Sequence, residues 1–378
     1  MKVLKSNEIP GTRAIFILIG LLILGYVIGN LIGGVVMVAM AVDDFSLAGM
    51  ASMQEKLMSS KRGWWAMICG QGVGSLFIFT VPAVFYWLLF EKKSFSELNF
   101  RSNKLTPTLV ALTILATLVA LPLISWTAKI NEQMQLPAAL EGLEKLMKLL
   151  EEKASEAVKF LVSFTSIPEY IASMLVIAVV AGVGEELFFR GMLQRKIWYG
   201  TGNIHVAIWV SAIVFSAIHF QFYGFLPRML LGAMFGYLYY WSGNILVPII
   251  AHIFNNGLSI TAVFISNRKW ADIDMEKTSD VSWPLALVST FLVGVALYFF
   301  YQQFNAKQRT SNWISVLQTK DIYEAELLKN TLESHDIMAV VINRKDSVYP
   351  HLGNIDVQVS LGNEAEARSI MSSLSTTE

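Results

Sequence analysis

Residues 14–42 read AIFILIGLLILGYVIGNLIGGVVMVAMAV, and Tyr26 is the only ionisable side chain in that run. A helix rises about 1.5 Å per residue, so roughly 20 apolar residues cross the about 30 Å of hydrocarbon in a bilayer. The run is longer than that, which predicts a transmembrane helix that tilts or extends past the lipid. Ala39-Met40-Ala41 imitates a signal-peptide cleavage site, but the run far exceeds the about 7–15 apolar residues of such a peptide, so a retained helix is expected.

The same pattern recurs outward from this run. Spans are expected near 14–42, 64–90, 107–128, 168–195, 203–220, 227–241, 245–266 and 283–304. The composition agrees, with 54% hydrophobic and 15% charged residues against about 25% charged in a soluble domain. Basic and acidic residues balance at 29 each, which gives a nucleic-acid role no electrostatic support. Cys69 is the one cysteine, so no intramolecular disulfide forms. Glycines at four-residue intervals (Gly25/Gly29/Gly33, Gly70/Gly74, Gly232/Gly236) predict close helix packing. Between the third and fourth spans, Leu143, Leu146, Met147 and Leu150 recur at helical spacing among Glu and Lys, the pattern of an amphipathic helix lying on the bilayer.

Lys2, Lys5, Arg13, Lys92, Lys93, Arg101, Lys104, Arg195, Lys196, Lys307 and Arg309 flank the spans on one side if there are eight. That side is expected to be cytoplasmic, against Lys56, Lys61 and Arg62 on the other. After Arg309 the composition changes. Trp313–Gln318, Ile337–Ile342 and Ile355–Leu361 read as strands, and Lys320–His335 and Glu364–Leu374 as helices. The expected fold is therefore an all-α polytopic membrane bundle of about eight transmembrane helices over residues 1–305. A small soluble α+β domain of order βαββα, residues 311–378, follows it. Both termini are then cytoplasmic, in a bacterial inner membrane.

Ionisable groups inside spans are costly and mark functional sites. The fourth span holds Gly184-Glu185-Glu186-Leu187-Phe188-Phe189-Arg190-Gly191, the fifth Phe215-Ser216-Ala217-Ile218-His219, and the seventh His252-Ile253-Phe254-Asn255-Asn256. Glu186 and Arg190 are four apart and can pair on one face. Glu185 points about 100° away, with no arginine at that spacing. Glu185 and His219 are equidistant in sequence from the turn near Gly202, so an antiparallel hairpin brings them to equal depth. His252 and Asn256, four apart on one face, lie at overlapping depth.

Burial makes a carboxylate a better base, so Glu185 and His219 can activate water while His252 and Asn256 donate to an oxyanion. Alternatively Glu185, His219 and His252 can hold zinc. Two non-enzymatic readings remain: hydrogen bonds that only join helices, and a proton relay in a transporter, for which no internal repeat is found.

Order and spacing of these residues resemble the CPBP family, which takes in CAAX prenyl proteases and bacteriocin-processing or immunity (Abi-type) proteins. Its motifs Glu-Glu-x-x-x-Arg, Phe-x-x-x-His and His-x-x-x-Asn/Asp are matched by Glu185-Glu186…Arg190, Phe215…His219 and His252…Asn256, within a protease-like core at about 168–266. The resemblance implies an intramembrane endopeptidase acting on membrane-associated peptides. Glu185 would be the general base and His219 its partner. His252 and Asn256 would bind the oxyanion or a metal, and Glu186 and Arg190 would give support. The ligand count favours no metal, with zinc as the other choice. The family's members without established proteolysis imply the alternative of a membrane scaffold or immunity protein. The C-terminal region resembles a small family of signal-transducing domains of unknown function, through Trp313–Leu317 leading into Glu324–Leu328. It is expected to bind a ligand or partner, with His335 and His351 on its surface.

Overall fold

The computed structural model describes residues 11–42, 46, 53–100, 105–271, 281–309, 313–343, 354–360 and 363–375; the side chains of 53–54, 305–309 and 374–375 fall outside that description. Lys2, Lys5, Arg101, Lys104 and His351 lie outside the described residues, and of Lys307 and Arg309 only the backbone is included. The chain forms two compact units, Met1–Phe300 and Tyr301–Glu378.

In the first unit, α1 (Gly11–Ala41), α2 (Met53–Ser59), α3 (Lys61–Phe90), α4 (Pro107–Glu132), α5 (Glu141–Leu161), α6 (Ile167–Thr201), α7 (Ile204–Ala217), α8 (Phe225–Ser242), α9 (Leu246–Asn267) and α10 (Trp283–Arg309, which runs past the unit's end) follow in order. Six of these, α1, α3, α4, α6, α9 and α10, are long and apolar enough to cross a membrane. With α7 and α8 they make the eight helices that the hydropathy pattern predicts. Phe16, Leu31 and Phe291 stand 66–71% exposed along α1 and α10, where only lipid offers an apolar environment.

The glycine intervals are contact surfaces. A Cβ on Gly29 or Gly33 of α1 would stand 2.8 Å from the Gly74 carbonyl oxygen or 2.7 Å from that of Gly70 on α3, so only glycine permits this approach. In α4, Pro122 has no N–H to give to the helical ladder. There Ser289 of α10 inserts its hydroxyl, accepting from Leu123 N–H (3.1 Å) and donating to Val119 C=O (2.5 Å).

Helix α7 has 14 residues, about 21 Å of rise against about 30 Å of hydrocarbon. It ends short of a full crossing, and residues 218–224 continue toward α8 with Phe220 at φ 53°. Irregular backbone at that depth persists where it lines a cavity. Helix α5 leaves Leu143, Leu146, Leu149 and Leu150 exposed. Its last turn is tied to α3 by Trp64 Nε1–H, which donates to Leu161 C=O at 3.0 Å.

The second unit carries β1 (Trp313–Thr319), α11 (Ile322–Ser334), β2 (Ala339–Asn343), β3 (Ile355–Ser360) and α12 (Glu364–Ser375), the expected βαββα order. The sheet order is β1-β3-β2, antiparallel throughout. Val316, Leu328, Leu332, Ile337, Val357 and Val359 form its core, and His335 is exposed.

Arg195 and Lys196, read from the sequence as a charged flank, are 6% and 2% exposed. Arg195 Nη1 donates to Glu97 C=O at 2.9 Å. Lys196 Nζ lies 2.6 Å from Glu91 Oε1, the oxygen that also accepts the Tyr86 hydroxyl at 2.7 Å. Burial alone raises the Glu91 pKa, but the hydrogen bonds from Lys196 and Tyr86 and the charges of Lys196 and Lys93 outweigh it and hold the carboxyl below its ordinary value. A depressed folded pKa means that the unfolded chain binds more protons. The stabilisation is therefore complete above the unfolded pKa of about 4.3 and disappears as pH falls through the folded value. Breaking one side of a buried pair costs about 3–5 kcal/mol. Glu91→Gln is expected to melt well below the wild type at pH 7, with the gap closing as pH drops under about 4. Thermal unfolding of both proteins in detergent across that range checks it, and a pH-independent gap would refute the charge argument.

Candidate active site

Helix α6 places the two glutamates. Its hydrogen bonding is wide (π-type) over Met174–Val180, α-helical over Ala181–Glu186 and wide again over Leu187–Gln194. Such turns recur at functional sites because they re-aim side chains. Glu186 is fully buried and Arg190 is 1% exposed. Arg190 Nη1 lies 2.6 Å from Glu186 Oε1, so the pair expected from their spacing is present. The same oxygen takes His252 Nδ1 of α9 at 2.8 Å. Arg190 Nη2 donates to Gly232 C=O of α8 at 2.8 Å, and its guanidinium lies 4.9 Å from the Phe215 ring centre and 5.7 Å from that of Phe235.

One turn further along, Gln194 Nε2 donates to Gly236 C=O at 3.2 Å. Two polar side chains four apart on α6 thus dock on two glycine carbonyls four apart on α8. A Cβ would stand 3.2 Å from Arg190 Nη2 at position 232 and 2.7 Å from Gln194 Oε1 at 236, which explains the glycine interval there.

Glu185 and His252 are 8% and 5% exposed. Together with His219 and Asn256 they line one cavity of about 900 Å³ between α1, α3, α5, α6, α7, α8, α9 and the 218–224 segment. The imidazole beside Glu185 is His252, with Nε2 3.7 Å from Glu185 Oε2. His219 lies past the end of α7, and its Nδ1 is 2.8 Å from Phe215 C=O. A carbonyl only accepts, so this contact fixes Nδ1–H and leaves Nε2 with its lone pair. Asn256 Nδ2 donates to Ile177 C=O at 3.1 Å, which leaves one amide hydrogen uncommitted by that bond. Glu185, His219 and His252 have donor types that suit zinc, yet among the described residues no three His, Cys, Asp or Glu side chains gather as a metal-binding group.

Phe215 does more than mark a motif. Its carbonyl orients His219, while its ring covers Arg190 and meets the His219 and His252 rings at 5.2 and 6.0 Å between centres. The sequence also carries no sign of Gln71, Ser75, Asn255 and Arg228, which line the same cavity.

The fold and the cavity define an integral membrane helical bundle with a polar chamber among its apolar helices. Residues 167–258 match the family model described as type II CAAX prenyl endopeptidase Rce1-like, which is the resemblance expected from the three motifs. The chain is also 30% identical over 123 residues to the uncharacterized protein YpbD of Bacillus subtilis (strain 168), a match covering 32% of this chain and 56% of that protein. The chain thus spans little more than half the length of this curated relative. No solved structure matches.

Arg190 holds Glu186, Gly232 and two aromatic rings at once, so its loss should be a folding defect rather than only a functional one. Arg190→Ala is expected to cost about 3–5 kcal/mol, because Glu186 is left buried without its cation. Arg190→Lys should recover only part of that, since an ammonium cannot reproduce the two-branched contact. Folded yield and melting temperature of the purified variants are the readout. Normal accumulation and melting of Arg190→Ala would contradict the structural role.

Proposed function

We propose that this chain is an intramembrane endopeptidase that hydrolyses peptide bonds of membrane-associated substrates. The observation that carries the reading is the placement of Glu185 and His219 on one chamber inside an apolar bundle, while the neighbouring Glu186 is held by Arg190 and His252. The Rce1-like match over 167–258 supports CAAX-type intramembrane protease function in general.

Chemistry divides the two glutamates. Glu186 Oε1 already accepts two strong hydrogen bonds. Glu185, without an arginine of its own, is the carboxylate free to take a proton from water. The hydroxide adds to the scissile carbonyl carbon. The uncommitted Asn256 N–H receives the oxyanion, joined by His252 Nε2 when that ring carries a second proton, since its Nδ1–H is given to Glu186; fixed donors inside a bundle act strongly there. His219 Nε2, turned by the Phe215 carbonyl, takes part in moving the proton to the leaving amine as the C–N bond breaks. The scheme assigns each motif residue a role without a metal. Using Glu185, His219 and His252 as zinc ligands would leave no carboxylate over as base.

We also propose that the N-terminus and the unit from Tyr301 onward face the cytoplasm. Protease added to inside-out vesicles should then release that unit, and protection there would reverse the orientation.

Removing a general base costs typically about 10²- to 10⁴-fold in rate. Glu185→Gln is therefore expected to abolish the membrane-peptide cleavage products seen with wild type by proteomics, while folded yield is kept. Identical products from both proteins would favour the scaffold reading. Elemental analysis of active protein is expected to find no stoichiometric zinc. One equivalent, lost with activity on chelation and restored on adding it back, would overturn the metal-free scheme.

A further inference from the structure

We infer that Asn30 and Gln71 form a binding site for the backbone of an apolar spanning segment, so that the substrate is a transmembrane stretch of an integral membrane protein that enters from the bilayer. The inference deepens the proteolytic reading and rests on it for the fate of that segment. Asn30 of α1 and Gln71 of α3 lie near the middle of their helices, line the chamber and are exposed. Polar side chains in spans usually tie helices together. These two do not. Asn30 Nδ2 donates to Tyr26 C=O of its own helix at 2.8 Å, and that bond leaves Oδ1 and a second N–H uncommitted. Gln71 makes no hydrogen bond among the described residues. The α1–α3 seam beside them is closed by backbone, Gly29 against Gly74 and Gly33 against Gly70.

An amide at that depth is costly unless something satisfies it. Both side chains are uncharged and each offers a donor and an acceptor, as a peptide unit does, so they suit a backbone rather than an ion. A segment that spans as a helix bonds its N–H and C=O groups internally. Any stretch drawn out for attack loses those bonds, and lipid cannot replace them. Side-chain amides on the chamber wall can. Their position fits this use. A Cβ on Gly72 of α3 would stand 3.1 Å from Val176 of α6, and one on Gly184 of α6 would stand 2.5 Å from Thr80 Oγ1 of α3, so the two helices run parallel. Gln71 is then level with Leu175, and the rise from there to Glu185 is about 15 Å at about 1.5 Å per residue. An extended chain covers that distance in about four or five residues. The chamber also reaches the lipid-facing side. Asn30, Gly34 and Met37 line both it and a neighbouring groove on α1, where Leu31 and Val35 stand 66% and 61% exposed and a Cβ on Gly34 would meet nothing within 4 Å.

The test measures binding to the full-length chain in nanodiscs, in a Glu185→Gln background that prevents turnover under the proposed scheme. The probes are Leu/Ala peptides of about 20 residues, long enough to span. One carries Gly-Gly at its centre, where the helix opens easily, and the other carries the same pair with both nitrogens methylated, which opens as well but cannot donate. An apolar tetrapeptide is the probe that cannot span. The Gly-Gly peptide is expected to bind about fivefold or more tighter than the methylated one, the scale of one or two neutral hydrogen bonds. Gln71→Leu and Asn30→Leu should each narrow that gap and together erase it, and leucine suits a spanning helix. If a variant fails to fold, photolabelling of the Glu185→Gln protein decides: a benzophenone side chain beside the Gly-Gly pair should label α1 or α3 near Asn30 and Gln71. Equal affinities of the two spanning peptides, no binding of either, a gap that survives in the folded double variant, labelling confined to other helices, or a tetrapeptide that binds as tightly as the spanning peptide would each overturn the inference. Failure of the protease reading shows elsewhere, as unchanged cleavage products with Glu185→Gln.

Discussion

The bundle is organised around one oxygen atom. Glu186 Oε1 accepts from Arg190 at 2.6 Å and from His252 at 2.8 Å, so α6 and α9 meet on it. Through Arg190 the contact extends to the Gly232 carbonyl on α8 and to the Phe215 ring on α7. Four helices are thus fixed by a charged group that is expensive to bury and that persists because the arginine meets a carboxylate, a backbone carbonyl and two aromatic rings at once. The constraint is positional as well as energetic. Lipid offers no hydrophobic driving force between helices, so their register depends on packing and polar contacts of this kind.

That anchoring sets where the chamber lies. Arg190 and Gln194 reach across to two glycine carbonyls, which holds α8 close against α6. α7 is too short to pass the chamber as a helix, and its irregular continuation carries His219 and leads to Arg228. The polar groups that line the cavity come from elements held by the α1–α3 glycine contact, which itself borders the cavity, and by the pair around Glu186. Rigid elements hold site groups more tightly than free loops do. Here the one irregular segment is itself tied down, by the Phe215 carbonyl on His219 and by the Ser216 hydroxyl on Phe225 C=O at 2.7 Å.

The sequence made the helices legible because hydrocarbon imposes a length and a composition that soluble cores do not. It made the Glu186–Arg190 pair legible because i,i+4 spacing is a geometric fact of one helix. The βαββα order of the C-terminal unit came through its alternating strands. Partners across helices were harder. Equal sequence distance from Gly202 places Glu185 and His219 at one depth if α7 stays helical, but the helix stops at Ala217 and the imidazole turns to its own chain's Phe215 carbonyl. The wide turns of α6 change the phase of its side chains in a way that no residue pattern announces. Arg228 was passed over because an isolated arginine outside the motifs carries no spacing signal.

Two adjacent glutamates of identical chemistry end in different states, and the number of donors around each decides it. About 100° of helix rotation separates them. On one side, Glu186 meets a guanidinium and an imidazole, and an oxygen already holding two strong hydrogen bonds has little left to offer a water molecule. On the other side, Glu185 faces the cavity with its nearest imidazole nitrogen at 3.7 Å, beyond hydrogen-bonding distance. Its lone pairs are therefore open to whatever the chamber contains. The tightly bonded glutamate keeps the helices in place, and that fixed frame lets the loosely bonded one line the cavity without being drawn into a structural pair. Exchanging the two environments would undo the arrangement: a second free carboxylate would leave Arg190 unpaired at the centre of the bundle, and under the proposed scheme a second clamped one could not act as a base.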